Sequence, residues 1–344
     1  MKSETIKNII TIGTSAGGIS AVSRLVSTFH EDLDAAVFIV IHVSRNSMTD
    51  VILNTIQKKT LLKCVLPEDQ DLIENRTIYL APADRHMLLE RGTIRITKGA
   101  YENHWRPSID VLFRSAAAAY NGCVTGIVLT GLLDDGTSGM YAIKRSGGRC
   151  MVQEPAEADF PDMPNNVLGN MEVDYKVSID EMGHILTDLF SRSSCEETVV
   201  PDDVLLEAEI AKRMSSSVED LKKLGEITTL TCPDCGGVLA RVAEDIVPRY
   251  RCYTGHTFTE KSLEDEQVKG IEDSLWVAIR MLEERKNLLR TMTGNLSDPP
   301  GNQTDQPGKR RSEEIQVHID RLKMMLMDLG DSGNPPFLTN ELHL

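Results

Sequence analysis

Short apolar runs and three-to-four-spaced apolar positions take turns along the first half of the chain. Ile9-Ile10-Thr11-Ile12 reads as a strand, and it breaks into the small-residue stretch Gly13-Thr14-Ser15-Ala16-Gly17-Gly18. Ala21, Val22, Leu25, Val26 and Phe29 then follow helical spacing. Ala35 to Ile41 is continuously apolar, as a strand buried on both faces requires, and it ends at His42. A helix is predicted over Met48 to Ile56, a strand over Thr77 to Leu80, and a hairpin from Met87–Glu90 and Thr93–Ile96 through Arg91-Gly92. Val111 to Tyr120 reads as helix and Val124 to Thr130 as another buried strand, which stops at Gly131-Leu132-Leu133-Asp134-Asp135-Gly136. Thr137 to Arg145 is the next helix and Cys150 to Val152 a short strand. This rhythm over residues 1–190 predicts an α/β domain with a doubly wound, mainly parallel sheet.

Beyond it the pattern changes. Residues 191–229 are polar and read as a linker, with a short helix over Leu205 to Met214. Residues 230–260 hold clustered cysteines. Over residues 261–330, Val268, Ile271, Leu275, Ala278, Leu282 and Leu289 mark one amphipathic helix, and Ile315, Ile319, Leu322, Leu326 and Leu329 a second. Ser297 to Gly308 separates them. An α-helical hairpin closed on itself and a homo-oligomer built through these C-terminal helices both fit this spacing. Residues 331–344 read as a frayed tail.

Charge narrows the function. The 344 residues carry a formal net charge of -15, with a pI near 5.0. That argues against nucleic acid and anionic lipid as partners, and aromatic residues, at 5%, are too sparse for base stacking. There is no N-terminal apolar signal run and no stretch fit to span a bilayer, so a soluble cytoplasmic protein without membrane insertion is expected. Cys64, Cys123 and Cys150 lie near apolar segments and are expected as reduced thiols, while Cys195 stands in a polar stretch.

Strand, Gly-x-Ser-x-Gly and helix in succession are the pattern of a nucleophile elbow. The competing reading, a glycine-rich phosphate loop, lacks the following Lys and the G-x-G-x-x-G spacing. Ser15, His42 and Asp135 all fall just past the C-terminal ends of predicted parallel strands, where the ligand crevice of an open α/β sheet lies. Their types match nucleophile, general base and orienting carboxylate. Asp134 is the alternative carboxylate. In the third quarter, Cys232-x₂-Cys235 and Cys252-x₃-His256 are separated by 16 residues. Three thiolates and an imidazole form a tetrahedral set for structural zinc, without an open position.

The motifs together resemble the catalytic domain of chemotaxis protein-glutamate methylesterases. The matching segments are Ile12 to Gly18, the strand-end His42, Ile78 to Met87, Arg106-Pro107-Ser108-Ile109-Asp110 running into Val111-Leu112-Phe113, Leu129 to Gly136, and Met163-Pro164, spread over residues 7–190. The resemblance implies hydrolysis of methyl esters on glutamate side chains of chemoreceptor cytoplasmic helices, and deamidation of certain receptor glutamines. It makes Ser15 the nucleophile, His42 the base and Asp135, rather than Asp134, the orienter. The amides of Leu132 and Ala16 are candidate oxyanion donors. His86, His104 and Arg106 fall within or beside matching segments, with cleft-lining and structural roles both open. Two departures stand out: Thr130-Gly131-Leu132-Leu133 replaces the family's Thr-Gly-Met-Gly, and the catalytic strand starts too near Met1 to leave room for a receiver domain. The Cys₃His segment looks like the zinc-ribbon-like tails of some members. The alternative is a catalytically silent scaffold of the same fold.

Overall fold

A computed structural model of the chain describes residues 8–192, 195–294 and 307–330. By its contacts it divides into a unit ending at Ser262 and a second beginning at Leu263. The first unit is built on β1 (Ile9–Thr14), followed by α1 (Gly18–Ser27), β2 (Ala36–Ile41), α2 (Thr49–Gln57), β3 (Lys63–Val65) and β4 (Thr77–Leu80). A hairpin of β5 (His86–Glu90) and β6 (Thr93–Thr97) leads to α3 (Ile109–Tyr120), β7 (Val124–Val128), α4 (Thr137–Arg145) and β8 (Arg149–Gln153). Next come α5 (Asp162–Asn170), β9 (Tyr175–Val177) and α6 (Ile179–Arg192).

Seven strands form one parallel sheet in the order β3-β4-β2-β1-β7-β8-β9. The chain builds outward from β1 through β2, then returns to β1's other side with β7. This reversal of winding opens a crevice at the C-terminal ends of β1 and β7. Alternate residues of the strands serve opposite faces. Ile9, Phe38 and Val128 pack with Leu112 and Phe113 of α3 and Met140 of α4. Ile10, Ile12 and Ile39 pack with Val22 and Leu25 of α1, Ile56 of α2 and Leu186 of α6. A sheet covered on both sides has no polar alternation to show, which is why its strands read as continuous apolar runs.

The stretch expected as a linker carries α7 (Asp202–Arg213) and α8 (Val218–Leu224), and Val204 and Ile210 are buried. These helices lead into a small antiparallel sheet in the order β10 (Gly225–Thr231), β11 (Val238–Val242), β12 (Arg249–Cys252) and β13 (Thr257–Thr259). A buried ionic seam runs between this sheet, α7 and the α/β domain. The Arg249 guanidinium donates to both Glu207 oxygens, at 3.1 and 2.6 Å, and to Asp245. Arg251 donates to Glu102 at 3.0 Å and to Glu207 at 3.3 Å. Arg114 of α3 bonds Glu102 and lies 3.6 Å from Glu207. Three guanidiniums thus face the three carboxylates of Glu102, Glu207 and Asp245. Burial works against the charge on Glu207, but Arg249, Arg114 and Arg251 hold its carboxyl far below the usual range. Cys123, expected as a reduced thiol, is instead joined in a disulfide to Cys195 of the polar stretch, across 72 positions of sequence. A spacing this long leaves no local sign of the pairing.

The second unit holds most of α9 (Glu260–Gly294) and all of α10 (Pro307–Gly330). Ile279, Ile315 and Ile319 are buried together, with Leu282, Leu289, Leu322 and Leu326 around them. The pairs Lys286–Gln316 and Arg290–Ser312 run in opposite senses along the two helices, as an antiparallel hairpin requires. The expected tail at 331–344 lies outside the described residues. No described helix is long and apolar enough to cross a membrane.

Removing one partner from a buried ion pair strands the others, at a cost of about 3–5 kcal/mol. Glu207→Ala is therefore expected to lower the unfolding free energy by about that amount in denaturant titrations at neutral pH. Because the Glu207 pKa is depressed in the folded state, its contribution is present above the unfolded glutamate pKa and fades as pH falls below it. The gap between Glu207→Ala and the parent protein should accordingly narrow in acid.

Candidate active site

The three rim residues arrive from three strand ends. The Ser15 amide donates to the Thr130 carbonyl at 3.1 Å, tying the turn after β1 to the end of β7. The His42 amide donates to the Thr14 carbonyl at 3.1 Å, continuing the β1–β2 register by one residue. His42 and Ser15 therefore stand on the same rim of neighbouring strands. Ser15 is half-buried, and the imidazole of His42 is wholly enclosed. In the elbow, the left-handed residue is Gly17, with φ 74°. Ser15 itself has no positive φ, so the strain expected of a nucleophile elbow does not fall on the serine.

Asp135 receives His42 Nε2 at 2.8 Å on Oδ2. The same oxygen accepts the Ile109 amide at 2.7 Å, and Oδ1 accepts Ser108 Oγ at 3.1 Å, Asn103 Nδ2 at 3.3 Å and the Asp110 amide at 3.3 Å. The carboxylate thus sits on the open N-terminus of α3, where amides and helix dipole favour an anion. Burial opposes its charge, yet the bonds from His42, Ile109 and Asn103 hold its pKa below the usual carboxylate value. Asp110 reciprocates: its Oδ1 accepts the amides of Gly136 and Gly139, at 3.0 and 2.6 Å, at the start of α4. Burial and the nearby Asp135 drive the Asp110 pKa well upward, against the Arg114 guanidinium 3.7 Å away. Asp134 is not bonded to His42, and burial raises its pKa.

A carboxylate on Nε2 places the imidazole proton there and leaves Nδ1 as the basic nitrogen. His42 Nδ1 is buried and has no hydrogen-bond partner among the described residues. Trp105 lies flat against the ring, with centroids 4.1 Å apart and planes 9° from parallel. Nothing in the residue pattern marked Trp105 or Asn103 for the site. His86 is structural: its Nε2 meets the Ala100 carbonyl at 2.9 Å and its Nδ1 accepts the Ser108 amide at 3.2 Å. Arg106 is an internal partner, bonded to Asp84 at 2.6 Å and to the Gly99 carbonyl at 2.8 Å. His104 sets its ring edge-on to Phe258.

The four sulfur and nitrogen ligands expected from the spacing come together, with Cys232, Cys235, Cys252 and His256 offering atoms all within 4.8 Å of one another. Cys235 Sγ is 3.7 Å from Cys252 Sγ, and Cys252 Sγ is 3.6 Å from His256 Nδ1. A tetrahedron with metal–sulfur bonds of about 2.3 Å has edges of roughly 3.8 Å, so the cluster has the dimensions of a metal site. Hydrogen bonding, first from Cys232 and then from His256, lowers the Cys252 thiol pKa, while the same contact raises that of Cys232. Asp234 lies 3.7 Å from His256 Nε2, placed to orient the ring.

The architecture is thus a parallel α/β domain of the CheB catalytic-domain type. It aligns with the crystal structure of the Thermotoga maritima CheB methylesterase catalytic domain at a TM-score of 0.51, over 53% of this chain and 98% of that one, at 24% identity. A sequence model of the family described as CheB methylesterase matches residues 10–186, and the chain belongs to that family. A Leptospira interrogans protein provisionally named protein-glutamate methylesterase/protein-glutamine glutaminase is 33% identical over 181 residues, 52% of this chain and 93% of that one. A Methanosarcina mazei protein-glutamate methylesterase/protein-glutamine glutaminase 2 is 31% identical over 52% of this chain but only 50% of its own length. A Pseudomonas aeruginosa protein-glutamate methylesterase/protein-glutamine glutaminase 1 is 30% identical over 52% of this chain and 49% of its own.

Gly131 is where the crest is tightest. A Cβ there would come within 2.1 Å of Met163 Sδ and 2.9 Å of Ser15 Cβ. Gly131→Ala is expected to cost about 1–3 kcal/mol by overpacking, read as a drop in thermal midpoint. Adding Met163→Ala should restore part of that loss, and a strictly additive double mutant would contradict this packing.

Proposed function

We propose that the chain is a serine hydrolase that removes methyl esters from glutamate side chains of chemoreceptor cytoplasmic helices, with Ser15 as nucleophile, His42 as general base and Asp135 as orienting carboxylate. The observation that carries this reading is His42 Nδ1, buried and unpartnered on the rim that holds Ser15, while Nε2 is committed to Asp135. Family membership and the names of the relatives support the substrate class. Ser15 Oγ attacks the ester carbonyl as Nδ1 takes its proton. The proton returns to the departing methoxide, methanol leaves, and water on Nδ1 then opens the acyl-enzyme. Glutamine deamidation would use the same steps with ammonia leaving.

The tetrahedral oxyanion needs preorganised amides. The Ser15 amide is committed to Thr130 and the Gly131 amide to the Phe160 carbonyl at 2.9 Å, which leaves Ala16 and Leu132 as the donors of this proposal. The Leu132-Leu133 variation from the family's turn is accommodated with Leu133 at φ 66°. The Cys₃His cluster is read as structural zinc, with no part in the chemistry. A cytoplasmic location fits a substrate on the cytoplasmic part of a receptor.

Ser15→Ala should lower methanol release from a methyl-esterified receptor fragment by at least roughly three orders of magnitude with folding preserved. Retained release would overturn the serine assignment. For the metal, the purified chain should carry one zinc per molecule, and Cys252→Ser should abolish it. An equal zinc content in that variant, by elemental analysis, would remove the Cys₃His reading.

A further inference from the structure

The metal cluster lies against the segment that shapes the hydrolytic site. Glu102 to Trp105 form a tight turn: the Trp105 amide donates to the Glu102 carbonyl at 2.9 Å and the Glu102 amide to the Trp105 carbonyl at 3.3 Å. Its two central residues, Asn103 and His104, have φ of 50° and 68°. This is the turn geometry that favours glycine; asparagine and histidine enter it more readily than most residues, and here contacts from the neighbouring sheet hold it in place. One end of the turn is functional. Asn103 Nδ2 donates to Asp135 and, at 3.0 Å, to Asp110, and the Trp105 indole covers His42.

The enforcing neighbours are the residues that flank the metal ligands. Thr257 follows His256, and its carbonyl accepts the Asn103 amide at 2.9 Å while its own amide donates to the Tyr101 carbonyl at 3.3 Å. Arg251 precedes Cys252, and its guanidinium donates to Glu102 at 3.0 Å and to Thr257 Oγ1 at 3.2 Å. Phe258 supplies the ring against His104. Between these contacts the chain makes the knuckle itself, closed by the Cys252 amide on the His256 carbonyl at 3.0 Å. The five residues Cys252 to His256 thus join the two sides of the support, and metal ligation at both ends would fix their spacing.

The geometry points to the Cys₃His cluster as a positioning device for the hydrolytic site, with Trp105 and Asn103 as the positioning residues it controls. When both ends of the knuckle are ligated, Arg251 and Thr257 grip the strained turn, and the turn holds the indole on His42 and the amide on Asp135. Without the metal the turn relaxes, and His42 loses its cover while Asp135 loses the Asn103 amide but keeps its donors from α3 and Ser108. The site needs no metal for chemistry, yet its alignment depends on one. This inference rests on the proposed hydrolase reading only for its activity readout.

The test uses the full chain carrying Trp276→Phe. The sequence has two tryptophans, so Trp105 becomes the sole tryptophan, excited selectively at the red edge of its absorption, beyond the tyrosine band. Trp105 emission and the rate of Ser15 labelling by a fluorophosphonate are followed as zinc is withdrawn by a chelator and then restored, with far-ultraviolet circular dichroism as the control for folding. Zinc removal is expected to shift Trp105 emission to longer wavelength and slow labelling by on the order of tenfold to a hundredfold, reversibly and with the dichroism of the α/β domain retained. Methanol release should lose kcat with KM little changed. Trp105→Phe, which keeps a ring over His42, should label much faster than Trp105→Ala. Zinc loss with emission and labelling unchanged overturns the proposal, as does a protein that binds no zinc, or labelling that fails only in step with loss of dichroism. If labelling responds to zinc but no methyl ester is cleaved, the substrate assignment fails and the positioning role stands.

Discussion

Two buried carboxylates within one turn of α3 organise the crest of this protein. Asp135 accepts amides from the start of α3, and Asp110, lying on α3, accepts amides from the start of α4, the helix that follows Asp135. Each acid caps the helix that the other helps to place. Buried side by side they cannot both hold a charge cheaply, and their surroundings pull them apart: burial and Asp135 push the Asp110 pKa up, while the bonds from His42 and Ile109 pull that of Asp135 down. The member pulled down is the one that touches the imidazole. The carboxylate that caps α3 is thus also the one that meets His42.

The small antiparallel sheet meets the α/β domain through buried charge, beside the apolar contact that α7 makes through Val204. Arg249 and Arg251 project from β12 into a seam closed by Glu102, Glu207 and Asp245, with Arg114 reaching in from α3. Buried guanidiniums tolerate such a setting because their fork of donors can satisfy several oxygens at once. Such a seam is selective in register: a shift of one residue along β12 would bury unpaired charges, whereas an apolar contact would slide at little cost. The small sheet is accordingly fixed in one placement against the α/β domain, which is what a support for the Glu102–Trp105 turn requires.

What the sequence disclosed follows from the range of each interaction. Strands covered on both faces are apolar throughout, so β1, β2 and β7 were plain, and Ser15, His42 and Asp135 were marked by standing at their ends. The Cys₃His set was legible because metal geometry demands close ligand spacing within each pair. β3 and β9, three residues each at the sheet edges, leave too short a pattern to read. Residues 191–229 looked like linker because α7 turns a charged residue, Glu207, into the interior, and a helix whose buried face carries a carboxylate shows a weak apolar stripe. Trp105 and Asn103 were invisible for a related reason. Their roles come from a turn held by residues about 150 positions away, and nothing local announces such a partner.

The same distances explain how one domain can serve as both scaffold and instrument. His42 is wholly enclosed, and its free nitrogen has no partner among the described residues, a state that burial ordinarily penalises. An imidazole kept in that state must be held from three sides: by Asp135 on its edge, by Trp105 on its face and by the β2 backbone at its root. One of those supports, Trp105, belongs to the turn at Asn103 and His104, and Asn103 adds one donor to Asp135. The imidazole of His42 is thus bordered by the Glu102–Trp105 turn, and that turn by the Cys252–His256 knuckle through Thr257 and Arg251. On the proposed reading, the Cys₃His cluster would act on His42 through that turn.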